Sequence, residues 1–218
     1  MSESFRPRLL VAAPLAVEAF AVRRGAPGVR VVRTGMGPRR SKRAAAWLAT
    51  ESADVIAVVG VCGALDPGFE PGDLVVASAL LGAGGERIEV DGEALAMAIA
   101  RIGLRVHRGT IACVAGLADG QPRAELALRT GACAVDMESF WLAPAAAGRP
   151  FAVLRAVSDG PRHELWRPAI VTQGIAALRS LRKAAPILVA WAADASGARS
   201  EPKASEVHPA LVATPHNL

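Results

Sequence analysis

The 218-residue chain has no tyrosine, and aromatic residues make up only 4% of it. Its arginines, among them Arg23, Arg24, Arg39, Arg40, Arg101, Arg105, Arg108, Arg179 and Arg182, have no aromatic residues interleaved with them. That argues against a stacking platform for nucleic acid. Cysteine is scarce too. Cys62, Cys113 and Cys133 lack metal-site spacing, and an odd number does not build a disulfide framework. Each has small or apolar neighbours, the setting of buried, reduced thiols in a cytoplasmic protein. No apolar run is long enough to span a bilayer; the stretch Ala184 to Ala193 is about half the required length. Near the N-terminus, Arg6 and Arg8 precede an apolar run, but Pro14 interrupts it and Glu18 precedes Ala19-Phe20-Ala21. It is therefore read as part of the fold rather than as a signal peptide. Gly60-Val61-Cys62-Gly63 has neither the G-x-G-x-x-G spacing of a dinucleotide site nor that of a P-loop.

The formal charge is +5 and the sequence pI about 9.8. An arginine-rich solvated surface accounts for this, with at most peripheral attraction to an anionic membrane. Apolar runs alternate with helical patterns along most of the length. Strands are expected at 8–13, 29–33, 54–59, 73–78, 134–136 and 151–157. Helices are expected at 14–22, 38–50, 92–102, 123–130, 138–147 and 168–194, the last kinked or broken at Pro186. The segment 80–90 is ambiguous and compatible with a hairpin. Val106 to Val114 reads as a strand pair or one bent strand, and 115–122 as a loop. Gly60 to Ala64 reads as a glycine-rich loop. Strands apolar throughout imply an α/β fold: a mixed, largely parallel sheet with helices on both faces. The domain is placed at residues 1–195, with a disordered tail over 196–218, where apolar residues thin out.

Two strands end in acids: Asp136-Met137-Glu138 and Ser158-Asp159. In open α/β sheets ligands bind at the C-terminal edge of the strands. Glu18 follows the first strand. Singly, each has a bland reading. Glu18 suits a solvated helix face, Glu138 a helix start favoured by the macrodipole, Asp159 a turn, and Gly60 and Gly63 a tight bend.

Together they resemble the nucleoside phosphorylase superfamily, and within it the nucleosidase branch. GVCGALDPGFEPGDLVVAS is similar to that family's glycine-rich loop and following strand, AVDMES to its Val-Glu-Met-Glu segment, FAVLRAVSDG to its Arg-x-x-Ser-Asp strand end, and TGMGPRRSKRAA to its Gly-x-Gly turn and helix. The resemblance spans roughly residues 8 to 180. It implies that Asp159 protonates N7 of a leaving purine, that Glu138 holds the ribose hydroxyls and Met137 packs on the sugar, and that Glu18 orients or deprotonates an attacking water. Gly35 and Gly37 line the nucleophile's side, and Cys62, Gly63 and Ser158 complete the substrate site. Carboxylates stabilise an oxocarbenium-like sugar, and an acid assists a poor leaving base. No cofactor or metal is implied. The partner is a small-molecule nucleoside, and family members are commonly homo-oligomers.

Where the phosphorylase branch has a phosphate-binding Arg and Ser, this chain has Val58 and Val61, which favours water over phosphate. The loop 116–121 has no aromatic residue to stack on a base. The apolar loop and the AVDMES form are most similar to the hopanoid-pathway branch, which removes adenine from adenosylhopane. Futalosine hydrolase, methylthioadenosine/S-adenosylhomocysteine nucleosidase, a phosphate-dependent phosphorylase and a non-catalytic purine-binding protein are the alternatives.

Overall fold

Successive residues along the strands pack to alternate sides and build the molecule around two opposite faces of one sheet. A computed structural model describes residues 8–116, 120–161 and 170–197. In β1 (Leu9–Ala13), Leu9, Val11 and Ala13 pack to one side, and Leu10 and Ala12 to the other. The first side is covered by α1 (Ala16–Gly25), α3 (Glu93–Arg101) and α6 (Ile170–Gly197). The second is covered by α2 (Pro38–Thr50), α5 (Ser139–Leu142) and a 3-10 turn, Ala143–Ala146. Both faces of each central strand are thereby kept dry, which is why these strands read as continuous apolar runs.

The remaining strands are β2 (Arg30–Arg33), β3 (Val55–Ala64), β4 (Leu74–Leu81), β5 (Arg87–Glu89), β6 (Val106–Cys113), β7 (Ala134–Asp136) and β8 (Phe151–Asp159), with α4 (Gly120–Thr130) ahead of β7. β1 lies parallel between β2 and β3, and β3 pairs parallel with β8. β8 pairs antiparallel with β4, β4 parallel with β6, and β6 parallel with β7. β7 then pairs antiparallel with the end of β3. The strands β3, β8, β4, β6 and β7 thus close a ring. The two acidic strand ends therefore do not lie side by side on an open edge. They come from strands of opposite direction and meet because Gly63 pairs with both Val135 and Asp159.

Several elements depart from the sequence reading. The glycine-rich segment 60–64 is not a loop but the last half of β3. Two open readings resolve within what the sequence offered: 80–90 forms a hairpin between β4 and β5, and 106–114 gives one strand, β6. The helix expected over 138–147 is a single α turn followed by a 3-10 turn, because Pro144 withholds a backbone donor. Helix α4 begins at Gly120, inside the expected loop, of which residues 117–119 lie outside the described residues. Helix α6 continues through Pro186 without a break. Proline cannot bond the carbonyl four residues back, that of Arg182, and this carbonyl packs so closely against Gly25 that a Cβ there would collide with it. The same helix reaches Gly197 with Ser196 buried, so the tail does not begin at 196. The rest of the expected tail, 198–218, lies outside the described residues, as do 1–7 and 162–169. Among the described residues, no helix is long and apolar enough to cross a membrane.

Arg149 ties the second helical layer to the sheet. Its guanidinium donates to the carbonyls of Leu48 and Ala49 in the last turn of α2, of Glu51 and Ala53 just after it, and of Ala145 and Ala146 in the 3-10 turn. Leu48, Ala49, Ala145 and Ala146 lie at helix ends, where carbonyls are short of intrahelical donors. Arg149→Met is expected to lower stability by about 2 kcal/mol or more, since charged hydrogen bonds contribute about 1.5–3 kcal/mol. Urea unfolding measures it, and an unchanged midpoint would show that these contacts are dispensable.

Candidate active site

The ring closure sets four acids around one cavity. Glu18 rises from the first turn of α1, Asp136 ends β7 with Glu138 two residues on, and Asp159 ends β8. All four are buried. All line a single cavity with Met137, Cys62, Gly63 and Ser158, as well as Pro14, Leu15, Met36, Val61, Val114 and Arg123. Of the residues singled out in the sequence, only Gly35 and Gly37 do not line it. They have φ near +80°, a conformation that suits glycine, and they bend the chain so that Met36 between them reaches the cavity. Gly37 also contributes its N–H, which donates to Glu138 Oε1 at 3.1 Å.

Burying four carboxylates requires compensating charge. Most of it comes from Arg155, which is completely buried on β8. Its Nη2 lies 2.7 Å from Asp136 Oδ2 and 3.5 Å from Glu138 Oε2. Its Nε and Nη2 also donate to Ser139 Oγ, at 3.1 and 2.9 Å. Burial alone would pull the guanidinium down, but Asp136, Glu138 and Glu18 reverse this and hold it above its ordinary value. Asp136 lines the cavity, but its oxygens are engaged by neighbouring protein groups. Its Oδ1 accepts from the N–H groups of Glu138 and Ser139 and from Cys113 Sγ, and its Oδ2 from Ser139 Oγ.

Glu18 accepts from Val61 N at 2.8 Å and Leu15 N at 2.6 Å. Burial still lifts its carboxyl above the ordinary 4.5, against the pull of Arg155 and these donors. Glu138 is raised in the same way, with Arg155 and the Gly37 N–H opposing and Asp136 adding to the rise. Burial pushes the Cys62 thiol well up, so it lines the site as a neutral group.

The glycines of β3 have a steric cause. A Cβ on Gly60 would collide with Arg155 Nη1 and come within 2.8 Å of Glu18 Oε1. A Cβ on Gly63 would stand 3.0 Å from Arg123 Nη2 and 3.2 Å from Asp159 Oδ2. They give buried charged side chains room to cross the strand.

Asp159 is where the site holds more than the sequence suggested. Its Oδ1 accepts from Ser158 Oγ at 2.7 Å, and its Oδ2 is ion-paired with Arg123 Nη2. Arg123 is buried on α4 and also donates to the Ala64 carbonyl at 3.2 Å. Sequence reasoning missed Arg123, Arg155 and Ser139 as site residues. Arg155 stood within the motif; nothing in the pattern marked Arg123.

A family model described as the phosphorylase superfamily matches residues 14–184. The chain belongs to that superfamily. A search of curated proteins finds no match. Among solved structures, the chain is similar to the 5'-methylthioadenosine/S-adenosylhomocysteine nucleosidase of Campylobacter jejuni, with a TM-score of 0.73, 18% identity, and coverage of 86% of this chain and 99% of that one. It is also similar to the S-adenosylhomocysteine nucleosidase of Streptococcus pyogenes solved with 5-methylthiotubericidin (TM-score 0.72, 20% identity, 88% and 99% coverage). A futalosine hydrolase mutant of Helicobacter pylori aligns at a TM-score of 0.69, with 18% identity and 88% and 99% coverage. At these identities the likeness is one of fold.

A buried carboxylate with a raised proton affinity is a stronger base than an ordinary one. If Glu18 serves as a base it must be ionised, so activity falls as pH drops through its raised value. The acid limb of kcat/KM should therefore lie above 4.5, the ordinary glutamate value, and Glu18→Gln should remove most activity across the range. A limb at or below 4.5 would remove Glu18 from that role.

Proposed function

We propose that the chain is a hydrolytic nucleosidase that cleaves the N-ribosidic bond of a 5'-substituted adenosine and releases adenine. The observation that carries the proposal is the convergence of Glu18, Glu138 and Asp159 on one cavity whose remaining wall is largely apolar. Glu138 binds the ribose hydroxyls and Met137 packs on the sugar. Glu18 takes the proton of the attacking water as its oxygen bonds to C1'. Asp159 stands on the side of the base. Departure of the base makes the sugar cationic, and the carboxylates stabilise that charge in a site shielded from water.

Water is favoured over phosphate because Val58 and Val61 offer no charge to an anion and because Arg155 and Arg123 are already engaged with carboxylates. The nucleosidase names of the structural neighbours support the same reading. Pro14, Leu15 and Met36 give the cavity an apolar side. An apolar 5' group suits it, and adenosylhopane, with a large polycyclic lipid there, is the proposed substrate. Each methylene buried adds about 0.8 kcal/mol.

The test is incubation with adenosine, methylthioadenosine and an adenosine carrying a bulky apolar 5' group, with and without phosphate. We expect free adenine and a reducing sugar, no dependence on phosphate, and the highest kcat/KM for the bulky apolar substrate. Asp159→Asn should lower the rate by roughly 100-fold or more. Ribose 1-phosphate as product would show a phosphorylase. Preference for methylthioadenosine would replace the lipid substrate with a small one.

A further inference from the structure

We propose that the edge of the molecule around β2 docks the protein on an anionic lipid surface, with the cavity mouth at that surface; this rests on the lipid-substrate part of the reading above. Between Pro14 and Thr50 the only acid is Glu18, which is buried. The same stretch carries eight Lys and Arg residues. Arg23 and Arg24 end α1, Arg30 and Arg33 stand at the two ends of β2, and the other four lie in the run 39–43 at the start of α2. All eight are exposed. Among the described residues, only Arg30 of these has an acidic partner, Glu51, at 2.6 Å.

β2 is the last strand at its end of the sheet, with α1 on one face and α2 on the other, so these charges wrap one edge. β5 is the last strand at the opposite end. There the segment 86–93 exposes Glu86, Glu89, Asp91 and Glu93 against the single base Arg87. A molecule basic at one edge and acidic at the other is oriented by a charged surface before it makes contact.

Charge alone would bring this edge to any polyanion, but apolar residues at the same edge point to lipid. Val17 and Phe20 lie three residues apart on α1, on one face. Both are exposed, Phe20 to 65%. The following turn is held against the start of this helix, because Thr34 N donates to the Ala13 carbonyl at 3.0 Å and Gly35 N to that of Pro14 at 3.1 Å. Met36, in that turn, is 41% exposed and also lines the cavity, so it marks the cavity mouth. Arg40 packs on the same turn, where a Cβ on Gly35 would collide with its Cδ. Binding at a bilayer interface combines apolar side chains that enter the headgroup region with cations drawn to anionic lipid. A lipid-borne 5' group passing between Leu15 and Met36 would reach the cavity without crossing open water. A second copy fits this edge less well, since in a two-fold interface the edge would meet itself and set arginine against arginine.

Flotation of the full chain with vesicles tests the docking. Vesicles of phosphatidylcholine alone are compared with vesicles of equal parts phosphatidylcholine and phosphatidylglycerol, at low and high salt. We expect binding to the anionic vesicles only, weakened by salt as the attraction is screened. An arginine near an anionic surface strengthens binding about fivefold, so Arg39→Glu combined with Arg43→Glu should weaken it on the order of 25-fold. Phe20→Glu should weaken it too, whereas Arg101→Glu on α3, which packs against β4 and β6, should have little effect. None of these residues lines the cavity, so kcat/KM for soluble adenosine should stay unchanged in every variant. Equal binding to the two vesicle types, no binding to either, or an equal loss in Arg101→Glu and the edge variants would overturn the docking surface. So would a dimer in solution that Phe20→Glu dissociates, or tighter binding of duplex DNA than of anionic vesicles. Each of these outcomes leaves the nucleosidase reading standing if adenine is still released from adenosine. Vesicle binding without adenine release from any nucleoside would overturn the nucleosidase reading and leave the docking surface. The two vesicle types decide the matter in wild type even if a variant does not fold.

Discussion

Arg155 is the interaction on which the rest of the site depends. Glu18 comes from α1 and Asp136 and Glu138 from the end of β7, and burial raises Glu18 and Glu138 above their ordinary values. Without a cation among them the cavity would either flood or take up protons. The guanidinium sits at the centre, completely buried, and holds Asp136 and Glu138 directly. Breaking such a buried arrangement by removing one partner is costly, typically about 3–5 kcal/mol. What the fold gains is a set of carboxylates fixed in place and kept dry, the condition under which they act strongly on a cationic sugar.

The backbone makes room for this charge. β3 runs beneath both the Arg155 cluster and the Arg123–Asp159 pair, and it carries glycine at the two points where these side chains cross it. The ring closes at Gly63, which pairs with β7 on one side and β8 on the other. One residue therefore governs both the sheet closure and the approach of Arg123 to Asp159. The apolar layers around the ring, built from α1, α3 and α6 on one face and from α2 and α5 on the other, keep the cluster out of water.

Much of this was legible in the sequence. The alternation of apolar runs and helical patterns gave the elements, and Glu18, Glu138 and Asp159 do converge on one cavity. The misreadings have local physical causes. Gly60 to Gly63 looked like a loop because glycine is usually read as a turn signal, whereas here it answers to side chains arriving from α1, α4 and β8. The helix after Glu138 stops sooner than the apolar pattern implies because Pro144 withholds a backbone donor. Arg123 was invisible because its partner, Asp159, is 36 residues away and only the ring closure brings α4 over the end of β8. Arg155 lay in a recognised motif, yet its partners could not be named without the fold.

The central claim is that Arg155 compensates the buried carboxylates, and urea unfolding of Arg155→Met as a function of pH tests it most directly. With folded carboxyl values above the unfolded 4.5, Glu18 and Glu138 favour the folded state below that value and lose this contribution as pH rises through their folded values. Removing Arg155 should raise them further and deepen that loss. The account predicts a deficit of about 3–5 kcal/mol against wild type at neutral pH, shrinking as pH falls toward 5. A deficit of the same size at every pH, or none at all, would contradict it.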